Sequence, residues 1–243
     1  MIITNLRTCG GIVAALVSVT LAGCGLISSD VTDFDLTLPD KKFTIDTGSW
    51  QVDSGLATAY LNQSCTASPP PNSCSQAAQL ACTMGCSGSC GASNHCELSL
   101  DVSLSQPVDL VSERPELKTI NDQPVIKVSI DSVTYEVLTN NLNVDTPEIT
   151  IYVAPMSVVK VTQNDAQLKA IGTIAPVPAG HTTTSPQSIE FTATGKASLV
   201  NIMSSFKTPF NVLAGSSLVV TSAQPFPMGR LDAVVHIKGH AGL

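Results

Sequence analysis

The sequence predicts an all-β protein, an antiparallel β-sandwich with one short helix and a disulfide-rich helical or loop insert. Three observations support this fold class. Charged residues make up only 13% of the 243 residues and hydrophobic residues 43%, enough apolar material for a buried core. Short apolar–polar alternations recur along the chain with Pro, Gly and Asn between them, and the regular crossover helices of a parallel α/β fold are missing. Six cysteines fall between positions 65 and 96.

The amino-terminal segment has the layout of a secretory signal. Arg7 lies in a short polar start, an apolar stretch covers residues 12–21, and two small residues precede Cys24. The apolar stretch has about ten residues, well below the ~20 that a membrane-spanning helix needs. We therefore expect residues 1–23 to be removed as a signal peptide.

Leu21-Ala22-Gly23-Cys24 resembles the lipobox of bacterial lipoproteins. The resemblance implies that Cys24 receives a diacylglyceryl group and anchors the chain to a membrane of the cell envelope. Gly25 follows in place of the aspartate associated with inner-membrane retention, so the resemblance favours the outer membrane. Residues 24–30 would form a lipidated tether that reaches ~20 Å at most. The alternative is an ordinary signal peptide that leaves a free Cys24 thiol.

The cysteine cluster predicts a stapled insert at about residues 62–96. Because an exported protein meets an oxidising compartment, we expect three disulfides, although six cysteines allow 15 pairings. A cap at Ser73 or Ser75 predicts a short helix that ends near Met84 to Cys86. The alternative is a metal or redox site with Met84 and His95 as further ligands, but paired C-x2-C spacing is absent and no metal is expected. The candidate disulfide cysteines are Cys65, Cys74, Cys82, Cys86, Cys90 and Cys96.

The alternating runs predict the strands of one sandwich domain spanning residues 31–243. Residues 34–38 and 42–46 predict a hairpin across Pro39-Asp40. The apolar parity changes between residues 126–131 and 133–137, which predicts a β-bulge. Residues 149–153 would pair with this strand across a long loop. Further strands are predicted at residues 158–162, 166–174, 189–193, 218–221 and 231–238.

A helix is predicted near the carboxyl-terminal third. Leu199, Ile202, Met203 and Phe206 recur at helical spacing, and Pro209 ends the run. These side chains would pack in the core. Alternatively the helix is a lid over an apolar pocket lined by Met203 and Phe206.

The connection at residues 225–229 holds two apolar side chains, Phe226 and Met228, between prolines and a glycine. We expect a packed turn. The alternative is an exposed pair that touches lipid near the acylated terminus.

No recognised pattern of catalytic, metal-binding or cofactor-binding residues is present. The four histidines lack H-E-x-x-H spacing, no G-x-S-x-G motif occurs, and the stretch around Lys196 lacks two residues of a phosphate loop. His236 shares its strand parity with Asp232 and Lys238, which predicts a solvated face. We expect no catalytic residue, no metal and no cofactor, and thus no enzyme.

Charge excludes one class of partner. Without Arg7, 11 basic residues remain against 19 acidic residues, a formal charge of −8 for the mature chain. An acidic domain repels phosphate backbones, so nucleic acid is not expected as a partner.

The sequence therefore predicts a membrane-anchored envelope lipoprotein that works as a non-enzymatic binding or structural module for a protein or glycan partner. One alternative is a carrier of lipid or another apolar ligand, which needs a cavity of several hundred Å³. A second alternative is an envelope hydrolase, which needs convergent carboxylates or histidines.

Overall fold

Two antiparallel sheets packed face to face form the body of the protein. The computed structural model of the chain describes residues 34–66, 72–82, 85–120 and 126–242. Within these residues one sheet has five strands and the other six, and side chains of both line a shared hydrophobic core. The predicted all-β class is confirmed. The lipobox with Cys24 lies outside the described residues.

The five-stranded sheet is built on two long strands, β11 (Arg230–Gly242) and β5 (Lys127–Asn140), which pair antiparallel. β8 (Gln187–Ser188) pairs with β5. β1 (Phe34–Asp35) and β2 (Lys41–Asp46) both pair with the other edge of β11, one after the other.

The predicted hairpin between residues 34–38 and 42–46 is therefore wrong. The Leu36 N–H donates to the Gly239 carbonyl at 2.8 Å, and the Leu38 N–H donates to the Ile237 carbonyl at 2.9 Å. The chain thus continues along β11 through Pro39-Asp40 and does not reverse there. Local turn residues cannot reveal this, because the partner strand lies about two hundred residues away in sequence.

β5 bulges where the sequence predicted it. Lys238 pairs with Ser132 and Gly239 pairs with Ile130, so Asp131 has no partner on β11. The extra residue returns Ile130 and Val133 to the same core, where both are buried. A second irregularity lies at Leu138.

The six-stranded sheet is centred on β10 (Phe210–Val220), which pairs with β4 (Cys96–Val108) and with β6 (Ile149–Pro155). Beyond β6 follow β7 (Lys169–Ile174) and β9 (Glu190–Phe191). At the opposite edge, β3 (Cys86–Cys90) pairs with the first residues of β4.

The predicted pairing of β5 with β6 is wrong, because the two strands belong to opposite sheets. The asparagine-rich connection between them crosses the end of the sandwich. Asn143 Nδ2 donates to the Phe226 carbonyl at 3.0 Å, and Asn140 Nδ2 donates to the Pro178 carbonyl at 3.0 Å. The turn formers of this segment thus join three connections at one end.

A short helix, α3 (Leu110–Glu113), follows β4, and the predicted carboxyl-terminal helix is present as α4 (Gly195–Ser204). Leu199 and Met203 are fully buried in the shared core, and Phe206 joins them just beyond the helix end.

The sequence predicted an insert that projects from the body, but the cysteine-rich segment instead packs against the six-stranded sheet and contributes β3 to it. α1 (Ser54–Leu61) and α2 (Asn72–Ala81) pack on β3 and on the start of β4. They enclose a second core that includes Trp50, Tyr60 and Leu98. The Asp53 carboxylate accepts from the Leu56 N–H at 2.9 Å and begins α1, a helix that the pattern analysis missed.

Three disulfides staple this second core, as predicted. The pairs are Cys65–Cys90, Cys74–Cys96 and Cys82–Cys86. The second pair joins α2 to β4, and the first joins the segment after α1 to β3. These two bridges hold α2 and the segment after α1 against the sheet at β4 and β3.

Candidate functional site

The residues predicted to line an apolar ligand pocket lie in the core. Met203 is 0% and Phe206 is 1% exposed, and both pack in the shared core. The cavity and grooves described below are lined by other residues. At the predicted turn, Phe226 is half-buried against the second core and Met228 is 62% exposed.

The cysteine cluster offers no thiolate to a metal. Among the described residues, the one group of side chains with metal-ligand spacing is Cys65, Cys74 and Cys96, and all three sulfurs are in disulfides. His95 Nδ1 lies 3.0 Å from the Ser93 carbonyl oxygen. Met84, the other ligand considered, lies outside the described residues.

Two histidines lie on the outer face of the five-stranded sheet, as predicted for His236. His236 Nδ1 is 2.7 Å from Asp40 Oδ1, and His240 Nδ1 is 2.7 Å from Asp131 Oδ2. His236 Nε2 also lies 3.8 Å from Glu136 Oε1 and is buried without a hydrogen-bond partner. On this face the described residues bring no three ligand atoms close enough together for a metal.

A small apolar cavity lies between the two cores. Trp50, Leu142, Ile149 and Leu218 contribute to its lining, and its volume is about 30 Å³. This is room for about one water molecule, far below the several hundred Å³ that a lipid or drug-sized ligand needs.

An open polar groove lies along an uncovered edge of β4. β3 covers only the start of β4: Cys86 pairs with Leu100, and the Asp101 N–H donates to the Gly85 carbonyl at 2.8 Å. In an antiparallel strand the N–H and C=O of one residue point the same way, and the direction alternates along the strand. The outward N–H of Asp101 therefore places those of Ser103 and Ser105 on the same uncovered side.

Pro107 supports this assignment of the free edge. It occupies the next outward position, where a missing N–H removes no hydrogen bond to β10. The Pro107 carbonyl accepts from Lys41 Nζ at 3.2 Å, so β2 closes this end of the edge. Between Gly85 and Lys41, no described backbone group pairs with the outward N–H and C=O of Ser103 and Ser105.

A groove of about 360 Å³ follows this edge, and we name it the edge groove. One wall is the end of β2 with Asp46 and the turn that carries Trp50. The other wall is the loop at residues 160–162, which lies over β4 because the Val161 N–H donates to Ser103 Oγ at 2.6 Å.

On the other side of Val161 lies a second groove of about 430 Å³, the outer groove. It shares Asp101 and Thr162 with the edge groove and adds Glu148 and Tyr152. The two grooves therefore adjoin across the 160–162 loop.

The grooves are acidic and expose little aromatic surface. Asp46, Asp101 and Glu148 are exposed, and among the described lining residues Lys160 alone carries a positive charge. Trp50 is 8% exposed, so its ring offers no face for stacking. Tyr152 is half-buried against the cluster of Ala154, Val158 and Leu213.

The sequence did not predict these grooves, because their walls come from segments that are far apart in the chain. Asp46, Asp101 and Lys160 belong to three different parts of the chain. One local signal was available: Pro107 within a strand-like run with serines at alternating positions predicts an edge strand.

Comparisons with protein-family models, with curated proteins and with solved structures found no match to this chain. In the described part of the chain, no helix has the length and apolar character to cross a bilayer.

Proposed function

We propose that the protein is a lipid-anchored binding module of the bacterial cell envelope. Cys24 would carry the lipid, and a protein or glycan partner would bind in the edge groove and the outer groove. The observation that carries this proposal is the uncovered edge of β4, flanked by two adjoining polar grooves. The outer membrane stays the favoured location from the lipobox resemblance.

The first described residue and the edge groove lie at opposite ends of the long strand β11. Phe34 pairs with Ala241 at one end of β11, and Asp46 pairs with Arg230 at the other end. At about 3.3 Å per residue, the two ends of this strand are separated by about 35 Å. The Asp46 wall of the edge groove therefore lies at the opposite end of β11 from Phe34, the first described residue.

The interior of the sandwich favours binding at the surface over carriage of an apolar ligand. Met203 and Phe206 fill the core, and the apolar cavity beside Trp50 has only about 30 Å³. The described lining of the two grooves contains no histidine, and its three carboxylates, Asp46, Asp101 and Glu148, do not all lie within 4.8 Å of one another, so binding is better supported than hydrolysis.

The anchor is tested by lipid labelling. Full-length chain should incorporate radiolabelled palmitate and fractionate with membranes, and Cys24→Ser should lose both properties. Labelling that persists in Cys24→Ser would refute lipidation at this residue.

The binding surface is tested by site-specific photo-crosslinking in the bacterium that makes the protein. A photoreactive residue at Thr162, which lines both grooves, is expected to capture a defined partner. The matched control places the same residue at Lys238, exposed on the opposite sheet. Equal capture from both positions, or no capture from Thr162, would contradict the proposal.

A further inference from the structure

We infer that the partner enters the edge groove as an extended polypeptide, pairs with β4 at Ser103 and Ser105, and carries basic side chains. This inference rests on the proposed function and specifies the partner's chemistry. It makes the binding mode a strand addition, in which main-chain hydrogen bonds supply affinity and side-chain pockets supply specificity.

The hydrogen-bonding pattern of the β4 edge is the first argument for pairing with an added strand. Two successive outward residues of β4, Ser103 and Ser105, present an N–H and a C=O without a backbone partner among the described residues. Unpaired groups in such a row are a template for another strand. Gly85 and Lys41 close the two ends, so the open window is about five residues or roughly 17 Å long.

The shape of the groove carries the second step. Both flanks of the free edge are walled, by Asp46 and Trp50 on one side and by the 160–162 loop on the other. A strand lying in plane with β4 would therefore fit between the walls, with its side chains alternating toward each. The hydrogen bond from Val161 to Ser103 Oγ holds the loop beside the window without covering the outward backbone of Ser103.

Charge carries the third step. Asp46 and Asp101 are exposed on the lining, where Lys160 is the one basic residue among the described lining residues, and no ion pair joins Lys160 to either carboxylate within the described residues. A strand with lysine or arginine at alternating positions would neutralise these carboxylates.

The same observations weigh against the other occupants. A glycan is usually held by an exposed aromatic face as well as polar groups, and Trp50 is buried here. A second copy of the mature chain would bring the same acidic lining and a formal charge of −8 to the contact, which disfavours self-pairing.

The test uses the mature chain and a phage-displayed library of random dodecapeptides. We expect selection to enrich basic sequences with alternating polarity. Their affinity should fall about tenfold or more for Ser105→Pro, because proline removes the outward N–H and puts its ring against the incoming strand while leaving the bonds to β10 in place. The matched control Ser105→Ala keeps the N–H and should bind within about threefold of wild type.

Charge reversal gives an independent arm. Asp101→Lys should weaken the enriched peptides about tenfold, and Glu190→Lys, an exposed change on β9, should not. If Ser105→Pro does not fold, amide exchange in the wild-type chain decides, since a paired strand slows exchange of the Ser103 and Ser105 N–H groups and unchanged exchange refutes the inference.

Two results would overturn the inference while leaving the proposed function intact. Enriched peptides that bind Ser105→Pro as tightly as wild type would show that β4 is not the docking strand. A library that enriches no peptide, beside specific capture from Thr162 in cells, would identify a different class of partner, such as a glycan. Failure of capture from Thr162 would instead refute the proposed function itself.

Discussion

Replacing Lys41 with methionine should destabilise the sandwich, because Lys41 forms a nearly buried ion pair between the two sheets. Lys41 Nζ lies 2.7 Å from Glu113 Oε1, and the two side chains are 8% and 18% exposed. The same ammonium donates to the Pro107 carbonyl at 3.2 Å. Lys41 begins β2 of one sheet, while Pro107 lies in β4 of the other, so one cation joins both layers.

The magnitude follows from what methionine leaves behind. It retains the apolar stem of lysine but removes the ammonium from the Pro107 carbonyl and from the Glu113 carboxylate, which keeps the 3.4 Å hydrogen bond from the Asp109 N–H. Breaking a fully buried pair costs about 3–5 kcal/mol. Glu113 Oε2 is buried without a hydrogen-bond partner, but the side chain as a whole is 18% exposed and Oε1 keeps the hydrogen bond from the Asp109 N–H. We therefore expect a loss of about 2–3 kcal/mol in the free energy of unfolding.

The assay is urea unfolding under non-reducing conditions, followed by far-ultraviolet circular dichroism. Lys42→Met, at the exposed neighbouring position, should change stability by less than about 0.5 kcal/mol. The double variant Lys41→Met/Glu113→Gln carries no unpaired charge and should recover at least half of the loss. A loss below about 1 kcal/mol for Lys41→Met, or a double variant no more stable than Lys41→Met, would show that the Lys41–Glu113 ion pair does not stabilise the fold as proposed.

Three further predictions concern the second core and the outer face. A Cβ at Gly88 would lie 2.5 Å from the Cys74 carbonyl oxygen, so Gly88→Ala should destabilise by about 1–3 kcal/mol and shift Trp50 fluorescence, whereas Ser89→Ala should not. Burial raises the pKa of Tyr60 to about 12, so the neutral phenol stabilises the fold fully below pH 10 and this stability is lost between pH 10 and 12. Tyr60→Phe should reduce the fall in the urea midpoint over that interval, and an equal fall in both proteins would contradict the raised pKa. Hydrogen bonds from Arg230 and Thr44 hold the pKa of Asp232 well below its usual value, so the stability that Asp232 contributes is present above about pH 4 and is lost as the pH falls further. Asp232→Asn should reduce the decline in the urea midpoint toward about pH 2.5, and an equal decline in both proteins would contradict the lowered pKa.

Local patterns predicted the elements whose signals are themselves local. The bulge at Asp131 was predictable because an extra residue must change which parity of the strand is apolar. The helix at Leu199 and Met203 was predictable because both positions face one core. The cysteine count predicted three disulfides, since an even number of closely spaced cysteines favours bridges.

Pairing partners and the candidate site depend on contacts that no local pattern contains. Residues 34–46 run along β11 instead of folding back, because pairing in succession satisfies the backbone edge of β11 opposite β5 and places Leu36, Leu38 and Phe43 in the shared core. The edge groove needs Asp46, Asp101 and Lys160 to meet, and their separation in sequence is set by the topology of both sheets.

Docking of the partner on the free edge of β4 is tested most directly by photo-crosslinking from Thr162 in full-length chains that carry Ser105→Pro or Ser105→Ala. We expect capture of the partner from wild type and from Ser105→Ala, and its loss from Ser105→Pro at equal protein level and equal membrane association. Capture that survives in folded Ser105→Pro would contradict docking on the free edge of β4.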